Sequence, residues 1–175
     1  LSMYGKCGAV EDAEVAFYTL VSHDTVSWNG MLSAYVEQRQ YEKAICLYRQ
    51  MQEEGMHPDG ATFVILFQAC GHLVEGQEDE EDASSDSISL RSSRSIKEIG
   101  HALHSDARRL KLTVNILVGT AILCMYGKCG DLPQAEAMFT TLVQLDTVAW
   151  NAMLSAYIKM EQESKTLCLY GHMLK

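Results

Sequence analysis

LSMYGKCG at residues 1–8 returns as LCMYGKCG at residues 123–130, and DTVSWNGMLSAY at 24–35 returns as DTVAWNAMLSAY at 146–157. Both belong to one alignment. Residues 1–51 lie on 123–173 without a gap, and well over half of the positions are identical. A long gap-free internal repeat marks a solenoid, in which each unit buries its apolar face only by stacking on its neighbours. The chain therefore reads as all-α, built of helix-turn-helix units, with binding as the expected kind of function. The alignment starts and stops inside units, so the chain is expected to be part of a longer array.

The apolar positions place the helices. In 26–38, Trp28, Met31, Leu32 and Tyr35 share one face, while Val26, Asn29, Ser33 and Glu37 share another. In 41–53 the stripe is Tyr41, Ala44, Leu47, Tyr48 and Met51. Gly55 and Pro58 then end that helix. Asp131 and Gln134 form a capping pattern, Pro133 fits the first turn, and Ala135, Met138, Phe139 and Leu142 make the next stripe. Ala13, Ala16, Phe17 and Leu20 echo it. Segments 61–73 and 96–110 read as a further pair. Trp28 and Trp150 fall on the apolar stripe and read as core, not as base-stacking platforms.

Between that last pair lies 74–94, with seven acids, two arginines and many serines. This composition predicts a disordered insertion at a helix–helix turn. It carries more than half of the net charge of −9. The remainder has no basic excess, so nucleic-acid binding would rest on placed side chains and not on a strong overall field. The apolar run 112–126 is interrupted by polar residues and is shorter than the ~18–20 residues of a membrane span. Neither a membrane nor a small-molecule substrate is expected as a partner. Six cysteines occur without CxxC pairing, and they read as small, reduced core residues rather than zinc ligands. His101 and His104 share a helix face but lack a third ligand. No phosphate loop or nucleophile elbow is present, so neither metal nor cofactor nor catalysis is expected.

DTVSWNGMLSAYVEQRQYEKAICLYRQMQEEGMHPD, ATFVILFQACG and ILVGTAILCMYGKCGDLPQAEAMF together resemble the pentatricopeptide repeat family of plants, in the subclass alternating standard, long and short repeats. The resemblance implies a partial short unit at 1–24, a standard unit at 25–59 and a long unit at 60–115 carrying the insert 74–94. A short unit at 116–146 and a partial standard unit at 147–175 follow. It implies a right-handed superhelical solenoid that binds single-stranded RNA at about one base per repeat. Organelle RNA processing or cytidine-to-uridine editing, in mitochondrion or chloroplast and beside protein editing or processing factors, is implied with it. The deaminase pattern of His-x-Glu with Pro-Cys-x-x-Cys is absent, so this chain is expected to be non-catalytic.

Residue by residue, the resemblance makes Asn29 with Asp59 a base-reading pair favouring uracil, then cytosine. It makes Thr120 with Asp146 a pair favouring guanine. Asp24 closes an earlier reader and Asn151 opens a later one. Val64 and Asn115 take these places in the long unit, to which no base is assigned. Val26 and Val148 match base-sandwiching positions, and Lys6, Lys128 and Lys159 match positions near the RNA backbone. Glu37 departs from that lysine pattern. The alternative reading is a protein-interaction scaffold like tetratricopeptide arrays, with a peptide in its groove.

Overall fold

A computed structural model describes residues 10–75 and 93–173. Within these the chain is helical throughout. Helix α1 spans Val10–Tyr18, α2 Thr25–Glu37, α3 Tyr41–Glu53, α4 Gly60–Glu75 and α5 Ser93–Arg109. A 3₁₀ turn at Leu112–Val114 leads into α6, Ile116–Lys128, followed by α7, Leu132–Thr141, α8, Thr147–Lys159, and α9, Glu163–Met173.

Helices α2, α4, α6 and α8 each begin where a side chain takes up an unpaired backbone donor. Asp24 accepts from the Ser27 N–H at 2.8 Å, Asp59 from Thr62 at 2.9 Å, Asn115 from Leu117 at 2.9 Å and Asp146 from Ala149 at 2.7 Å. Each such cap stabilises its helix by about 1 kcal/mol. The reversals inside units pass through left-handed residues. Gly130 (φ +68°) follows α6, while Arg39 (φ +56°) and Glu161 (φ +54°) follow α2 and α8.

Helices α2, α4, α6 and α8 pack successively on one another and form one layer. Helices α3, α5, α7 and α9 each pack on the preceding first helix, and the first three also touch the next one. The core lies between the layers. It contains Trp28, Met31, Leu32, Met51, Phe63, Phe67, Leu66, Ile122 and Tyr126, all essentially inaccessible. Close approach of α6 to α8 depends on Gly127, where a Cβ would lie 3.2 Å from Ala156 Cβ and 3.5 Å from the Ala152 carbonyl oxygen.

Adjacent units are also joined by a polar clamp that recurs at the repeat offset. Tyr35 on α2 donates to Glu14 on α1 at 2.9 Å, and Lys43 on α3 donates to the same carboxylate at 3.1 Å. Tyr157 and Lys165 do the same to Glu136, at 2.9 and 2.7 Å. Each lysine lies over its tyrosine ring, at 5.4 and 5.5 Å. The lysine and tyrosine donors hold Glu14 and Glu136 below the usual carboxylate range. Tyr126 occupies the corresponding place in α6, but its partners are two histidines. Its hydroxyl lies 2.9 Å from His104 Nδ1 and 3.2 Å from His101 Nδ1, and His101 Nε2 lies 3.1 Å from Asp131 Oδ2. Burial pushes the Tyr126 phenol up to about 12. The two histidines thus have a packing role, and among the described residues no cluster of three potential metal ligands occurs.

Burial, then the charges of Arg108 and His101, hold His104 below the ordinary histidine range. The unfolded chain therefore binds a proton that the folded chain refuses. Stability contributed by neutral His104 is complete at pH 7 and is lost as pH falls through the unfolded value of about 6.5 towards the folded one. Thermal melts between pH 7 and 5 are expected to fall with acidification, and H104Q to flatten that slope. The Glu14 and Glu136 contributions follow only at lower pH, because their carboxyls are depressed.

Three sequence expectations are corrected. Cys46 and Cys168 are exposed, whereas Cys70 and Cys129 are buried. The first two sit on second helices facing away from the shared core. Leu20, just past the end of α1, is 42% exposed. Leu142, in the same place after α7, instead packs over Gly119, where any Cβ would meet its Cδ2 at 2.5 Å. Trp28 is fully buried as expected, but Trp150 is only partly so, its ring edge-on to Phe139 at 5.1 Å. No described helix is long and apolar enough to cross a membrane.

Candidate RNA-binding face

The four first helices start in the same register, so equivalent residues recur along one layer. The residue before each helix is Asp24, Asp59, Asn115 or Asp146. The second helical residue is Val26, Ala61, Leu117 or Val148, the fifth is Asn29, Val64, Thr120 or Asn151, and the thirteenth is Glu37, His72, Lys128 or Lys159. These positions form parallel rows across the stacked helices.

The second-residue row is apolar and open. Val26, Leu117 and Val148 are 76%, 65% and 56% exposed, against near-zero exposure for the core one residue-face away. An apolar side chain held out at a regular interval is suited to lie against a flat partner such as a base. Leu117 was not legible as a candidate until the short unit was set in helical register with the standard one. Ala61 fills the same place in α4.

Asn29 and Asp59 are brought together across 30 residues. Asn29 Nδ2 donates to Asp59 Oδ1 at 3.0 Å, and the Thr62 hydroxyl donates to Asn29 Oδ1 at 2.7 Å. Burial alone would raise the Asp59 carboxyl. The Thr62 N–H, the Asn29 amide, the Thr62 hydroxyl and the Ala61 N–H outweigh it and hold the group below the usual range. Asp59 is thus an ionised acceptor beside an amide that keeps one N–H in hand.

Thr120 and Asp146 are arranged differently. Thr120 is 6% exposed, and its hydroxyl has no hydrogen-bond partner. Asp146 caps α8 through the Ala149 N–H. Asn151 is exposed on α8, and Val64 is half-buried. Asp24 is exposed and forms a reciprocal cap with Ser27, whose N–H and hydroxyl hold its carboxyl below the usual range.

Lys6 lies outside the described residues. Lys128 closes α6, and its ammonium is 3.1 Å from Glu75 Oε2, which also receives His72 Nδ1 at 3.0 Å. Glu75 belongs to the acidic stretch that interrupts the repeat, and it continues α4 to bridge the thirteenth-residue row. Lys159 donates to the Lys128 carbonyl at 3.3 Å. If Lys128 meets a phosphate, Glu75 must release it. E75Q is therefore expected to strengthen RNA binding several-fold and to steepen the salt dependence by about 0.7 in log–log slope. Because a half-exposed ion pair contributes little to folding, the melting temperature should hardly change. Binding isotherms at several salt concentrations check both.

Residues 23–72 match the PPR repeat family, and residues 148–175 match the PPR repeat. A chloroplastic pentatricopeptide repeat-containing protein of Arabidopsis thaliana is 33% identical over 89% of this chain. A mitochondrial one from the same plant is 31% identical over 99% of it. The chain spans 26% and 15% of the length of these two relatives. Among solved structures, the pentatricopeptide repeat protein PPR10 in complex with an 18-nt psaJ RNA element superposes with a TM-score of 0.71. The match covers 98% of this chain and 23% of PPR10, at 19% identity. That likeness establishes the fold as the superhelical repeat solenoid. With repeats matched near both ends, and relatives aligned along nearly all of its length, the chain belongs to the pentatricopeptide repeat family.

Proposed function

We propose that this chain is a non-catalytic stretch of a sequence-specific array for single-stranded RNA, acting on organelle transcripts in processing or cytidine-to-uridine editing. The units alternate as standard 25–59, long 60–115 and short 116–146, between partial units at 1–24 and 147–175. The observation that carries the reading is the bonded Asn29–Asp59 pair. It joins the fifth residue of one first helix to the residue before the next, in the rows where an open apolar side chain also recurs. PPR10, whose fold this chain shares, is seen bound to RNA. Asn29 with Asp59 reads uracil or cytosine, and Thr120 with Asp146 reads guanine. Val26 and Val148 sandwich bases, with Leu117 added to them. Lys128 and Lys159 approach the backbone.

A salt titration of the full-length protein tests the class of partner. RNA binding weakens with rising salt through counterion release, in proportion to the few lysines involved. An affinity indifferent to salt, with an apolar peptide competing for the face, would favour a peptide-binding scaffold and sink the RNA reading.

A further inference from the structure

We propose that Thr62 is a specificity-determining positioning residue for the base read by Asn29 and Asp59, although it belongs to the next unit. This rests on the reading of Asn29 and Asp59 as a base-reading pair.

Thr62 is the third residue of α4 and is fully buried. Its hydroxyl oxygen accepts the Asp59 N–H at 3.1 Å. Its single proton goes to Asn29 Oδ1 at 2.7 Å, with Asp59 Oδ1 a second acceptor at 3.0 Å. The Asn29 amide is therefore gripped at both ends, its oxygen by Thr62 and its nitrogen by Asp59 at 3.0 Å. A flipped amide would set oxygen against carboxylate and leave the hydroxyl proton facing N–H groups. The orientation is thereby fixed, and what remains for a ligand is one amide N–H donor beside free carboxylate lone pairs. A donor next to an acceptor complements the O4 and N3–H of uracil, and the N3 and amino group of cytosine. It does so only while the amide cannot turn over or swing.

The other units show what the hydroxyl contributes. Ser27 stands at this place after Asp24, Val118 after Asn115 and Ala149 after Asp146. Where Ala149 replaces Thr62, the reader's own Thr120 hydroxyl is buried without a partner. The hydroxyl three residues past the closing aspartate thus decides whether the preceding reader is held or left unanchored.

The test measures affinities of the full-length protein for four RNAs that differ only at the base opposite unit 25–59. T62V is nearly isosteric and keeps the buried volume. It is expected to cut the preference for uracil over the purines about three- to tenfold, the range of one lost hydrogen bond. T62S should retain the preference. A149S, which offers Thr120 a partner, should sharpen the preference at the guanine position by a similar factor without touching unit 25–59. The proposal is overturned if N29A abolishes the uracil preference while T62V leaves it intact, or if T62V weakens all four RNAs equally. If N29A itself leaves the preference unchanged, the reading-pair assignment has failed, and the role of Thr62 with it.

Discussion

Replacing Asn29 with threonine is expected to move the preference at one base of the target from uracil to guanine, by about tenfold or more in the ratio of affinities. The substitution turns the pair of unit 25–59 into that of unit 116–146, since both close on aspartate. Asparagine presents a donor through an amide tied to Asp59 and Thr62. Threonine is shorter, cannot span the 3.0 Å link to Asp59 in the same way and leaves that carboxylate free to accept. Two N–H donors on a guanine edge then fit better than the mixed edge of uracil. The reciprocal T120N should move the other position towards uracil. It places an amide where a buried hydroxyl now has no partner and where Asp146 lies next in the row. Competition between RNAs that differ at one base checks both variants. Loss of affinity for all bases alike would mean that these residues support the helix ends and do not read.

Truncating Trp28 to alanine is expected to have the largest effect on stability, about 3–5 kcal/mol. Trp28 is the bulkiest fully buried side chain, set edge-on against Phe17 at 4.9 Å and His23 at 5.5 Å. It fills the joint between α1 and α2, so its loss weakens both a unit and the interface that transmits stability along the array. W28F should cost much less, partly because the indole N–H has no acceptor. V26A, two residues away but 76% exposed, should change stability by less than about 0.5 kcal/mol while reducing RNA affinity. Urea denaturation followed by circular dichroism separates the two. Equal destabilisation by W28A and V26A would contradict the division of α2 into a core face and a binding face.

That division was legible in the sequence because period 3.6 sorts apolar from polar positions within one helix. Trp28, Met31 and Tyr35 fell on the buried side, with Val26 and Asn29 off it, and helix ends followed from Gly55 with Pro58 and from Asp131. Periodicity does not say which second layer covers a face, so the exposure of Cys46 and Cys168 was missed. Nor does it report side chains that meet from distant units. Glu75 reaches Lys128 across 53 residues and from within the acidic interruption, which composition alone marks only as charged. The Glu14–Tyr35–Lys43 clamp was present in the repeat offset, as its copy Glu136–Tyr157–Lys165 shows, but it needed the stacking geometry to join its members. Nor does periodicity show that the hydroxyl of Thr120 is left without a partner, at a boundary where Ala149 stands in the place that Thr62 takes at another.

The central claim is that this face reads bases one unit at a time. Fluorescence anisotropy of the full-length protein against otherwise identical RNAs carrying U-N-G or G-N-U opposite units 25–59 to 116–146 tests it most directly. The account predicts tighter binding of U-N-G, indifference to the middle base, and reversal of the preference in the N29T/T120N double variant. Equal affinity for both RNAs, unchanged in that variant, would contradict it.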